Sequence, residues 1–139
     1  MRIMAIDYGD AHTGAAVSDL TGLLAGYTET IHTRRQEEGL SRLGELIGEY
    51  GVEELVLGYP KNMDGTLGPR AEKAEAMART LEERFGLPVK LWDERRTTIE
   101  AHDILHASGK KMKTHKKTVD AVAATLILEG YLTRKRARG

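Results

Sequence analysis

The 139-residue sequence predicts an α/β fold: a five-stranded mixed sheet of order 3-2-1-4-5, strand 2 antiparallel, flanked by helices. Three observations predict it. Residues 3–7 (Ile-Met-Ala-Ile-Asp) and 55–57 (Leu-Val-Leu) have no polar face until the terminal acid of the first, as expected for strands covered on both sides. The apolar period changes from strand-like to helical after the first third of the chain. The later strands are joined through helices, which makes them parallel, with right-handed crossovers.

Residues 8–12, holding Gly9 and Asp10, form a tight connection, and residues 13–18 return as the second strand of a hairpin. A turn through Gly22 leads to a third strand, residues 24–33, rich in β-branched side chains. Leu40, Leu43, Ile47 and Tyr50 mark a helix ended by Gly51. The strand at 55–57 is stopped by Gly58-Tyr59-Pro60, and residues 61–68 form a loop with an Asp64-Gly65 turn. Pro69 opens a second helix, with Ala71, Ala74, Ala78, Leu81 and Phe85 facing inward and Gly86 as its stop. Residues 88–92 form a fifth strand running into Asp93-Glu94. Thr97 and Glu100 form a capping box for a third helix. Residues 108–117 read as a basic loop, and the last helix runs from Thr118 to about Thr133 with Val119, Val122, Ala123, Leu126 and Ile127 inward. Residues 133–139 read as a basic, frayed tail. No repeat or linker divides the chain, so residues 1–139 are expected to form one domain.

The absence of cysteine excludes disulfides and thiolate metal sites and fits a reducing cytoplasm. No apolar stretch is long enough for a membrane span, and no targeting segment is evident. A formal net charge of zero hides a division: residues 1–107 carry 12 Lys and Arg against 19 Asp and Glu, residues 108–139 carry 9 against 2. A solvated loop and tail would explain the basic end; a polyanion held there, across Lys110, Lys111, Lys113, Lys116, Lys117 and the tail, is the functional alternative.

The predicted topology sends the carboxyl ends of strands 1, 4 and 5 to one edge, where open α/β sheets bind ligands. Asp7 ends the first strand there and Glu94 follows the fifth. Asp120 lies early in the last helix. A carboxylate at the end of an apolar central strand is costly unless paired or metal-bound. Three such groups together repel unless divalent cations hold them, and an all-oxygen set selects Mg²⁺ or Mn²⁺. A pair of these ions can activate water and stabilise the leaving oxygen of a phosphodiester. Taken singly, each acid has a plainer role: Asp7 capping a turn, Glu94 pairing with Arg95 or Arg96, Asp120 complementing a helix dipole.

Four segments extend this reading: Asp7-Tyr8-Gly9 leading to Gly14-Ala15-Ala16-Val17-Ser18-Asp19; residues 58–71, Gly-Tyr-Pro-Lys-Asn-Met-Asp-Gly-Thr-Leu-Gly-Pro-Arg-Ala; Asp93-Glu94-Arg95-Arg96-Thr97-Thr98; and Lys117-Thr118-Val119-Asp120-Ala121-Val122-Ala123-Ala124. In this order they resemble the YqgF family, also called RuvX, of ribonuclease H-like fold. The resemblance implies a nuclease acting on structured nucleic acid, with Asp7, Glu94 and Asp120 as catalytic metal ligands. It implies an rRNA precursor as substrate in ribosome biogenesis, with branched DNA, as for a Holliday junction resolvase, as the alternative. A non-catalytic RNA-binding assembly factor is the reading from another class. Monomer and homodimer both remain open. The chain departs from the family at Ala11-His12, where Lys-Arg is usual, and at Tyr59, where Leu is usual.

Lys61 and Asn62 can donate to phosphates, and Arg95 and Arg96 can clamp one. His115, in the predicted basic loop before Asp120, resembles the loop histidine of ribonuclease H enzymes and is a candidate proton shuttle. Trp92 is expected to pack rather than to stack a base.

Overall fold

A computed structural model describes residues 2–22, 24–59, 68–93 and 112–137, with the side chains of residues 112–121 and 137 outside that description. Its elements are β1 (Arg2–Asp7), β2 (His12–Ser18), β3 (Ala25–His32), α1 (Gln36–Tyr50), β4 (Val52–Tyr59), α2 (Pro69–Phe85), β5 (Val89–Asp93) and a last helix, here α3 (Met112–Ala137). The sheet order is β3-β2-β1-β4-β5. β1 pairs antiparallel with β2 and parallel with β4, and β4 pairs parallel with β5. These are the predicted order and senses.

Strand alternation assigns the two faces. Met4 and Ile6 of β1, with Leu55 and Leu57 of β4, pack against Leu40, Leu43 and Leu46 of α1 and Ala74, Ala78 and Leu81 of α2. Ile3, Ala5, Ala16 and Val56 pack on the opposite face against Ala124, Ile127, Leu128 and Leu132 of α3. Both central strands are thus buried on two sides, which is why neither shows a polar face in sequence. Gly51 and Gly86 close α1 and α2 in the left-handed region, at φ of 63° and 64°, as their positions predict.

The last helix departs from expectation in two ways. It begins at Met112, so residues 112–117, predicted as part of a basic loop, are helical, and residues 133–137 continue it where a frayed tail is expected. Lysine density suggested a loop, yet Met and Lys are good helix formers and no Gly or Pro follows Gly109 before Gly130. The buried stripe is also rotated: Ala123 and Ile127 are buried as predicted, but Ala124, Leu128 and Leu132 complete it, while Val122 and Leu126 are only half-buried. The run 121–128 is apolar at adjacent positions, so its period does not fix its phase. The predicted helix opening at Thr97 lies outside the described residues.

Polar groups tie α3 and α1 to the sheet. Glu54, buried on β4, accepts a hydrogen bond from the Tyr131 hydroxyl and lies 3.5 Å from the Lys135 ammonium. A buried carboxylate without such partners would be costly. On the other face Arg42 of α1 donates to both carboxylate oxygens of Glu29 on β3, each at 2.7 Å. This fork holds the Glu29 carboxyl below the usual range, Arg42 first among the causes. A depressed carboxyl adds stability above its unfolded pKa and loses it as pH falls through the folded value. Arg42→Leu is therefore expected to lower the urea midpoint at pH 7, and the difference from wild type is expected to shrink below about pH 4. A difference that stays constant down to pH 3 would assign the loss to packing alone.

Candidate active site

Three parallel strands end together at one edge of the sheet. β1 stops at Asp7, β4 at Tyr59 and β5 at Asp93, with Ile6 level with Leu57 and Tyr59 level with Asp93. This is the edge predicted for ligand binding. Asp7 pairs across the hairpin with Gly14 and is half-buried. Alternation along β1 carries Asp7 to the face covered by α3 and sends the next residue, Tyr8, to the core under α1 and α2.

Asp120 lies on α3, the helix covering the face of Asp7, and its side chain is outside the described residues. Glu94 directly follows β5 and also lies outside them, as do Lys61, Asn62, Arg95, Arg96, Lys110 and Lys111. The backbone of Lys113, His115, Lys116 and Lys117 falls within the first turns of α3, with their side chains undescribed. His115 and Asp120 thus share one helix, and a loop swinging between them is replaced by a continuous helical backbone. Among the described residues no group of three His, Asp or Glu side chains is arranged to hold a metal ion. Asp7 is the predicted ligand whose side chain is placed, and its hard oxygen donor at a strand end fits Mg²⁺ or Mn²⁺ rather than a softer ion.

The connection from β1 to β2 is tight. A Cβ on Gly9 would come within 2.5 Å of the His12 carbonyl oxygen, so the Asp-x-Gly pattern has a steric basis here. The Thr33 N–H donates to the Ala11 carbonyl at 3.1 Å and fixes the outer side of the turn. His12, in place of the family's usual basic residue, faces His32 across β2 and β3, their rings edge-to-face at 4.8 Å.

A cleft of about 260 Å³ opens on the α1 and α2 side of this turn, bounded by Tyr8, Gly9, Asp10, Gly58, Arg70 and Lys73. The Lys73 ammonium lies 3.7 Å from the Asp10 carboxylate, both well exposed. Burial and then the Asp10 charge raise the Tyr8 phenol above its ordinary value, so it is neutral at physiological pH. Arg34 and Arg35 line a narrower recess on the other flank of the same turn. Arg70, Lys73 and Arg34 were not singled out in sequence. Their signal is present nonetheless: Arg70 and Lys73 crowd the start of a helix, where acids are favoured.

Tyr59 departs from the family pattern and uses its hydroxyl, which donates to the Glu75 carboxylate at 2.5 Å and joins the end of β4 to α2. That bond raises the Tyr59 pKa. Trp92 packs edge-to-face on Tyr131 at 6.2 Å, with the Arg134 guanidinium 5.9 Å from its ring, in keeping with the expected packing role.

Comparison with known proteins matches residues 1–134 to the family model of RuvX, described as Holliday junction resolvase. A protein of Geobacillus kaustophilus named "Putative pre-16S rRNA nuclease" is 49% identical over 138 residues, covering 98% of this chain and 100% of its own. The Bacillus subtilis protein of the same name is 46% identical, covering 95% and 97%. Among solved structures, Thermus thermophilus RuvC in complex with a Holliday junction substrate superposes with a TM-score of 0.62 at 18% identity, covering 98% of this chain and 96% of that one. The fowlpox virus resolvase in complex with Holliday junction DNA gives 0.60 at 12% identity, covering 97% and 99%. These two similarities bear on the fold, which is that of the ribonuclease H-like resolvases.

The Gly9 contact makes a direct prediction. Gly9→Ala forces the β1–β2 connection to shift beside Asp7 and is expected to destabilise the protein by about 1–3 kcal/mol in chemical denaturation. An unfolding midpoint equal to wild type would show that the turn does not close this tightly.

Proposed function

The chain belongs to the RuvX family, and from that premise we propose that it is a divalent-metal-dependent nuclease hydrolysing phosphodiester bonds of structured nucleic acid, working at the 5′ end of the 16S rRNA precursor. The observation that carries this reading is the Asp7 carboxylate, set at the edge where three parallel strands end, in a chain that aligns end to end with relatives named for pre-16S rRNA. The cytoplasm, where ribosomes are assembled, is the compartment this function requires.

Asp7, Glu94 and Asp120 would hold the metal. Bound there, a divalent cation supplies an activated water and charge to balance the departing oxygen. The protein's own groups do the remaining work. Arg95 and Arg96, adjoining Glu94, and Lys61 and Asn62, in the segment between β4 and α2, are assigned to phosphates around the bond to be cut. Lys110, Lys111, Lys113, Lys116 and Lys117 lie before and within the first turns of α3, the helix that carries Asp120. They are assigned to the flanking backbone, where contacts position the substrate without reading its sequence. His115 is assigned the transfer of a proton at its imidazole.

Asp7→Asn keeps the shape of the side chain while removing a charge and a metal ligand. Cleavage of a pre-16S rRNA fragment in Mg²⁺ or Mn²⁺ is expected to fall to the level seen in EDTA, with the variant still folded by circular dichroism. Glu94→Gln and Asp120→Asn are expected to behave alike. A wild-type rate in purified Asp7→Asn would overturn the site, and preferential cutting of a four-way DNA junction over the RNA would move the substrate to branched DNA.

The role of His115 has its own readout. In single-turnover cleavage at saturating metal and substrate, His115→Ala is expected to lose about 10²-fold in rate or less, with affinity retained and one ionisation missing from the pH–rate profile. Loss of affinity alone would place His115 on the binding surface.

A further inference from the structure

The turn at residues 8–11 has Asp7 on one side and an unassigned set of cations on the other. Arg70 and Lys73 stand at the start of α2 and line the cleft with Tyr8, Gly9 and Asp10. Their place works against the helix. The amino end of a helix carries a partial positive charge and favours acids, and Gly68, the residue capping α2, provides no side-chain hydrogen bond. Arg70 has no ion pair or hydrogen bond among the described residues, and Lys73 has only its loose contact of 3.7 Å with Asp10. Across the turn, Arg34 is exposed, borders the neighbouring recess and likewise has no partner among the described residues. The cations gather in the acid-rich part of the chain, at the edge that bears Asp7. Cations held where helix electrostatics opposes them, and left unspent on internal pairs, are matched to an external anion.

We propose that Arg70 and Lys73, continued by Arg34 across the turn, form a backbone-phosphate subsite that holds the nucleic-acid strand beside the bond addressed at Asp7. This rests on the nuclease reading above and adds to it a path. Because Asp7 and Tyr8 point to opposite faces of the sheet, a strand crossing the edge over the 8–11 turn meets the acid on one side and the cations on the other. Arg70 offers a planar fork for two phosphate oxygens, whereas Lys73 is a point charge. Asp10 holds Lys73 until a phosphate displaces it. The subsite also returns positive charge to the turn at which Ala11-His12 stand in place of the family's Lys-Arg.

The test is equilibrium binding of a pre-16S rRNA fragment and of a four-way DNA junction in EDTA, across a range of salt. The double variant Arg70→Gln with Lys73→Gln is expected to bind roughly 10-fold more weakly or worse at low salt. Its slope of log affinity against log salt is expected to flatten by about 1.4–1.8, or 0.7–0.9 per lost contact. Its melting temperature should equal or exceed wild type, since two cations leave a helix amino end. Arg70→Lys should recover the slope, Arg34→Gln should flatten it further, and Asp10→Asn should tighten binding by freeing Lys73. A wild type that binds while the double variant keeps its affinity and slope overturns the subsite and leaves the nuclease reading standing. A wild type that neither binds nor cuts either substrate overturns the nuclease reading, and the subsite with it.

Discussion

The parallel pairing of β1 with β4 is the constraint on which the rest of the molecule depends. Each strand has neighbours on both sides, so its backbone donors and acceptors are spent within the sheet. Each is apolar on both faces, so the sheet needs cover above and below. The cover comes from α1 and α2 on one side and α3 on the other. Parallel strands cannot be joined by a tight turn; α1 provides the crossover from the hairpin to β4, and α2 that from β4 to β5. The same parallel sense sends three carboxyl ends to one edge, so the location of the site follows from how the core is closed.

That edge is divided by strand alternation. Consecutive residues of β1 point to opposite faces, so the chain changes character within one step, from Asp7 on the α3 side to Tyr8 in the core beneath α1 and α2. The cost of a carboxylate at the end of an apolar strand is limited because Asp7 sits at the rim, half-buried rather than enclosed. The close approach of position 9 to the His12 carbonyl keeps the turn narrow. A narrow turn leaves clefts on its flanks, which wider loops would fill.

Most of this architecture was legible from the chain because its signals are local and unambiguous. Residues 3–7 and 55–57 lack a polar face, glycines stand where α1 and α2 stop, and Pro69 stands where α2 starts. The strand order followed from those elements and from handedness. What was not legible had physical causes. The start of α3 was missed because lysine density was weighed above helix propensity. Its buried stripe was placed out of phase because residues 121–128 are apolar at neighbouring positions, which fit either face. Of the site, the location of Asp7 was legible from the strand it ends, and Trp92 packs as expected. Arg70 and Lys73 were overlooked because their meaning depends on which end of α2 meets the β1–β2 turn, a tertiary fact that no window of sequence contains.

The departure at Ala11-His12 takes on a different sense in this light. In sequence it reads as a loss of two positive charges beside the acid. In three dimensions the turn that carries it is flanked by Arg34 and Arg35 on one side and by Arg70 and Lys73 on the other. Charge acting on a phosphate falls off with distance in space, not with distance in sequence. Side chains reaching the turn from α2 and from the segment before α1 therefore act on the same volume as side chains on the turn itself. The two placements differ in stiffness. A cation on a short turn moves with that turn, whereas one on the first turn of a helix packed against the core is anchored by Ala71 and Ala74, both buried. His12 is then available for contact with His32 across the strands instead of for phosphate. The basic character of the edge is thus a property of the fold around β1, and a substitution in the turn relocates its source without removing it.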